Sequence, residues 1–187
     1  MSSGTEDKQI AGKRGELYVS GELLKRGTVS YVPQVDQGID ALVRTAEGAV
    51  VEIQVKAAGS ADGKYPRWFQ MGYLKPRKNF MIIGVEFEKG DPKCAWVIPS
   101  AIFDKYSSTP PKGSPRDLDL DSGVRKYGMP LRDLLCGFRD RWELIVEFAK
   151  FERFMESPED LEDLLTVQEA VESGDRSISL KDYERGK

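Results

Sequence analysis

The stretch "GIDALVRTAEGAVVEIQVKA", residues 38–57, contains two apolar runs joined by "TAEG", a turn that ends in Gly48. Side chains alternate along a strand, so Val51, Ile53, Val55 and Ala57 fall on one side. Val50, Glu52, Gln54 and Lys56 fall on the other. If the two runs pair as a hairpin, Asp40 in the first lies beside Gln54 or Lys56 in the second. An acid, an amide and an amine then line one face of a hairpin that is otherwise apolar.

A carboxylate beside an amide oxygen is a hard-oxygen pair suited to Mg²⁺ or Mn²⁺. An ammonium two residues further on sits where a water or a phosphate could bind. A solvated strand face would explain "E-x-Q-x-K" alone. The set of Gly-x-Asp, Gln-x-Lys and a glutamate on the preceding helix, Glu16 in "RGE", points instead to a site.

Outward from the hairpin, "GKRGELYVSGELLKRG" predicts a helix with an apolar stripe of Leu17, Val19, Leu23 and Leu24, closed by Gly27. "VSYVPQ" predicts a short strand stopped by Pro33. "SADGKYPRW" reads as a polar loop. "FMIIGVEFE" and "CAWVIPS" read as apolar strands, and "AIFDKY" as a helical turn. Residues 107–123, rich in Pro, Ser, Gly and Asp, read as an irregular loop. Leu134, Phe138, Trp142, Ile145 and Ala149 fit one helix within 124–156, although "WELIVEF" also alternates like a strand. Residues 157–187 read as an acidic helical tail, opened by Ser157 as cap and Pro158 at the first helical position. The expected organisation is a core over 1–106, that loop, a helix packed on the core, and the tail. The order of elements describes a mixed α/β sheet with helices on its faces.

The chain has 187 residues, two cysteines and no histidine. The missing histidine excludes Ser-His-Asp and Cys-His catalysis and every His-ligated metal site. Cys94 and Cys136 lack a metal-type spacing, no run reaches a membrane span, and the N-terminus lacks an apolar signal core. A cytoplasmic protein with reduced thiols is expected. Residues 1–116 hold 17 Lys+Arg and 13 Asp+Glu, and residues 117–187 hold 11 and 18, so +4 and −7 make the net −3. A basic front and an acidic back suggest different partners.

From helix-borne Glu16 through Asp40 to Gln54-x-Lys56, the chain resembles the PD-(D/E)XK nuclease superfamily. The variants with Gln-x-Lys are nearest: Mrr-type nucleases, intron-associated homing endonucleases and Holliday junction resolvases. The resemblance spans about residues 12–104. It implies a restriction-endonuclease-like central mixed sheet flanked by helices, here with a C-terminal helical extension. It also implies Mg²⁺- or Mn²⁺-dependent hydrolysis of DNA. Asp40 would bind the metal, with the Gln54 side chain, the Val55 carbonyl and Glu16 as further ligands. Lys56 would be the catalytic lysine, and Glu52 stands one pleat further out as either a site member or a solvated residue. "GID" replaces the family's Pro-Asp, and the neutral Gln54 leaves the site one charge short. A domain of this fold that only binds nucleic acid or protein is therefore the second reading.

"YPRWFQMGYLKPRKNF" mixes bases with aromatics, so Arg67, Lys75, Arg77 and Lys78 are candidate phosphate contacts, although the aromatics could equally plug a core. The acidic-leucine tail resembles the toxin-binding tails of Phd- or RelB-type antitoxins over fewer than thirty residues. As a surface helix with a short tail it needs no partner. A homodimer and a protein partner for the tail both fit this reading, and a membrane does not.

Overall fold

The computed structural model describes residues 3–34, 38–58, 68–72, 74–108, 115–121, 125–126, 129–155, 157–163 and 165. Helix α1, Ser3–Lys25, starts earlier than its sequence pattern predicts. It ends where expected, at Gly27 with φ +76°, whose N–H donates to the Leu24 carbonyl at 2.9 Å. Glycine suits this cap because a left-handed backbone costs it nothing. The buried stripe is narrower than expected. Val19 and Leu23 are buried, whereas Leu17 and Leu24 are 63% and 65% exposed. Gly15, Val19 and Leu23 recur every four residues and face the sheet. Leu17, two residues from Val19, sits about 200° around the helix.

The main sheet has the order β1-β2-β3-β5-β6. These strands are β1 (Ser30–Tyr31), β2 (Ala41–Arg44), β3 (Val50–Ala58), β5 (Phe80–Glu88) and β6 (Asp91–Pro99). Only β3 and β5 run parallel, so the sheet is mixed and helices flank it. β5 is buried from Phe80 to Phe87, as a continuous apolar central strand should be. The register defines two faces. One carries Val51, Ile53, Val55, Ala57, Ile83 and Val85. Helix α1 lies on it, and a methyl added at Gly15 would meet Val55 Cγ1 at 3.3 Å. The other carries Glu52, Gln54, Lys56, Ile82, Gly84 and Glu86. A second small sheet covers part of it, made of β4 (Trp68–Met71) and β7 (Arg116–Asp119). Phe69 of β4 lies on Gly84, so that a methyl there would come within 2.5 Å of the ring.

Two expectations fail. Within 107–123, the stretch expected to be irregular, Arg116–Asp119 forms β7 and pairs with β4. Its single apolar residue, Leu118, is buried, but flanking charges hide the pattern. Residues 124–156 are not one helix. They form the hairpin strands β8 (Arg125–Lys126) and β9 (Met129–Pro130), then helices α3 (Leu131–Leu134), α4 (Glu143–Val146) and α5 (Phe148–Phe151), with 3₁₀ turns between and after. The break has a local cause. Arg139 bridges to Trp96, Asp140 (φ +52°) donates its N–H to the Ala95 carbonyl at 2.7 Å, and Asp140 Oδ1 accepts from Ala95 N–H at 2.8 Å. The chain interrupts helix formation to satisfy the open edge of β6. Leu135, Phe138, Trp142, Ile145 and Phe148 still join the common core.

Helix α2, Ser100–Tyr106, follows β6 directly. Its Lys105 pairs with Glu159 and Glu162 at 2.9 and 3.1 Å, and Leu161 and Leu165 are buried. The start of the acidic segment is therefore packed into the fold, while residues 166–187 lie outside the described residues. Among the described residues, no helix is long and apolar enough to cross a membrane.

Candidate functional site

The β2–β3 ladder ends in a side chain. Asp40 N–H donates to the Ile53 carbonyl at 2.8 Å, one step beyond the Ala41–Ile53 pair. Asp40 Oδ2 then accepts the Val55 N–H at 2.7 Å, a bond to a charged acceptor that fixes the carboxylate. In an extended strand the N–H and C=O of one residue point to the same edge, so the Val55 carbonyl faces the gap beyond the end of β2. The chain reaches this position through Gly38, whose φ is +77°.

Gln54 and Lys56 share the polar face of β3 and are half-buried. Hydrogen bonding assigns the Gln54 amide: Nε2 donates to the Gly38 carbonyl at 3.3 Å, and Oε1 accepts from Lys56 Nζ at 3.1 Å. A carbonyl oxygen has two lone pairs, so this bond leaves Oε1 a second direction. Strand alternation from Leu42, which pairs with Glu52, puts Asp40 on the same face as Gln54.

Glu16 comes from α1, the helix on the opposite face. Its carboxylate pairs with Lys13 at 2.6 Å. That bond holds the Lys13 ammonium above its ordinary value, and the Asp40 charge adds in the same direction. Lys13, which its motif "GKRGE" gave no means to single out, is the described partner of Glu16 and feels the Asp40 charge. Glu52, two residues from Gln54, bonds to Arg77, and Arg77 stacks over Phe80 at 4.6 Å. Lys78 pairs with Glu152 at 3.0 Å and Lys75 is exposed. Arg67 lies outside the described residues.

The donors Asp40, the Gln54 oxygen and the Val55 carbonyl are all hard oxygen, the chemistry that Mg²⁺ and Mn²⁺ prefer. Among the described residues no three His, Cys, Asp or Glu side chains cluster to hold a metal. Any ion here would depend on amide and backbone oxygen beside the carboxylates.

The same face carries a second polar cluster. Glu86, 3% exposed, accepts from Arg132 at 2.7 and 3.4 Å and from the Cys94 thiol at 3.3 Å. Arg132 also bonds Asp121 at 2.7 Å and lies 5.3 Å from the Trp96 ring. Burial opposes the Arg132 charge, but the Glu86 and Asp121 carboxylates outweigh it and raise its pKa. Burial, with Glu86 nearby, pushes the Cys94 thiol up to about 11. Neither Arg132 nor Cys94 stood out in the sequence.

No family model and no curated protein matches this sequence. Among solved structures the chain is similar to the bacterial homing endonuclease I-Ssp6803I. Identity is 20% and the TM-score 0.47, over 81% of this chain and 99% of that one. The chemistry is therefore read from the residues of this chain.

Proposed function

We propose that this chain is a Mg²⁺- or Mn²⁺-dependent DNA endonuclease. The observation that carries the reading is the Asp40 carboxylate pinned on Val55 N–H at the end of β2, with Gln54 and Lys56 on the same face. Asp40, the Gln54 oxygen and the Val55 carbonyl would hold the ion, with Glu16 of α1 as the second carboxylate. When bound, the ion supplies charge neutralisation on the phosphate and stabilisation of the leaving oxygen. Lys56 Nζ, held 3.1 Å from Gln54 Oε1, orients the attacking water or stabilises charge developing on the phosphate. Arg77, bonded to Glu52, and Lys78 would contact the phosphate backbone, with Lys75 and Arg67 from the same stretch of sequence.

The neutral Gln54 and the lack of a three-acid cluster among the described residues favour a second reading, a binding module without turnover. One experiment separates the two. Purified protein is incubated with duplex, single-stranded and branched DNA, with Mg²⁺, with Mn²⁺ and with EDTA. Cleavage that EDTA abolishes is the expected result. Binding without cleavage under every condition moves the assignment to the binding module.

A further inference from the structure

Between the 74–79 segment and α5 runs an open groove of about 430 Å³, lined by Lys78, Ala149, Lys150, Glu152 and Arg153. Its position follows from backbone contacts. Asn79 accepts the Glu52 N–H at 2.8 Å through its carbonyl and donates its side-chain amide to the Val50 carbonyl at 2.9 Å. The groove therefore abuts the end of β3 that carries Glu52. Glu52 lies about 6.6 Å along the strand from Gln54, two residues of rise. Lys56, Gln54 and Glu52 form one polar row on a single face, Arg77 bonds its end at Glu52, and Lys78, the next residue, lines the groove.

The charge balance is local. The groove lining sets Lys78, Lys150 and Arg153 beside one carboxylate, Glu152, in a chain whose net charge is −3. Two ion pairs there, Lys78–Glu152 at 3.0 Å and Lys150–Glu147 at 2.6 Å, are solvent-exposed. Exposed pairs hold weakly, so these ammonium groups can exchange a carboxylate for a phosphate. The Arg153 guanidinium lies over the Phe154 ring at 4.5 Å, which orders it at the groove wall. A duplex offers a continuous line of phosphate charge, the ligand that suits cations set on two separate chain segments along one groove.

We infer that this groove carries the phosphate backbone of a DNA duplex leading away from the candidate site, with Lys150 and Arg153 as contacts. The inference rests on the nuclease reading. The test measures binding of a short fluorescent duplex to the full chain by anisotropy across a salt series. Wild type is compared with Lys150→Ala/Arg153→Ala and with Lys25→Ala/Lys93→Ala. The second pair removes the same charge from exposed sites at the end of α1 and the far end of β6. The groove variant should lower the log–log salt slope by about two units and weaken binding about tenfold at physiological salt, and the control should change neither. Lys150→Gln/Arg153→Gln, which removes the charges but keeps three side-chain carbons and a polar end, should repeat the loss, with an unchanged melting temperature. If wild type binds and the groove variants keep its slope, or the control loses as much, the groove assignment falls and the nuclease reading stands. If wild type neither binds nor cleaves DNA, both fall.

Discussion

Two polar clusters share one face of the main sheet, and they are built to opposite rules. At one end, Glu86 is 3% exposed and accepts from Arg132 and Cys94, while Arg132 reaches on to Asp121. Glu86 is enclosed by protein while Asp121 stays near the surface, and the cluster ties Leu131–Leu134 to the sheet. At the other end, Asp40, Gln54 and Lys56 are only half-buried. Their framework comes from backbone, from the Val55 N–H and the Gly38 carbonyl. Between them Gly84 pairs across with Lys56, and Phe69 covers it as an apolar wall. Burial with charged partners makes an anchor, and partial burial on a backbone frame makes a site that a ligand can enter.

The sharpest test exchanges the effects of the two clusters. Asp40→Asn and Lys56→Ala should each lower cleavage about 10³-fold, with stability changed by no more than about 1–2 kcal/mol. Asparagine keeps an oxygen for the Val55 N–H, so the frame survives. Arg132→Ala should leave cleavage chemistry intact and cost about 3–5 kcal/mol in urea unfolding, because the buried Glu86 would lose both guanidinium bonds. A Lys56→Ala protein that cleaves at the wild-type rate, or an Arg132→Ala protein of unchanged stability, breaks the contrast.

The wall between the clusters is next. Gly84→Ala should cost about 1–3 kcal/mol, because the new methyl would meet Phe69 at 2.5 Å. Adding Phe69→Leu should cost less than the sum of the two single changes. Strict additivity would mean that the ring already moves freely off Gly84.

The smallest effect concerns the anchor alone. The folded Cys94 thiol ionises near 11, above its unfolded value near 9, so the unfolded chain sheds that proton first. Its contribution to stability is complete below about pH 9 and declines as pH rises towards 11, by about 1–2 kcal/mol. Urea titrations of wild type and Cys94→Ala should converge over that window. Parallel curves would show that the thiol is not held in the buried cluster.

The hairpin was legible because period-two alternation and the Gly48 turn are local properties. β5 and β6 were legible because an unbroken apolar run between turn residues has few other uses. The polar row on β3 followed from the same alternation, which is why Glu52, Gln54 and Lys56 could be set on one face before any fold was known. Contacts made across the chain were not legible. β7 carries one apolar residue and becomes a strand only by pairing with β4. The expected helix after residue 124 breaks because Arg139 and Asp140 meet the open edge of β6, which no local periodicity encodes. Leu17 and Leu24 look as apolar as Leu23, and only the position of the sheet decides which of them is buried. Tertiary structure alone also turned Asp40 onto the Val55 N–H and set Lys150 and Arg153 across a groove from Lys78. Periodicity reports which face a side chain takes, and packing between distant segments decides what that face meets.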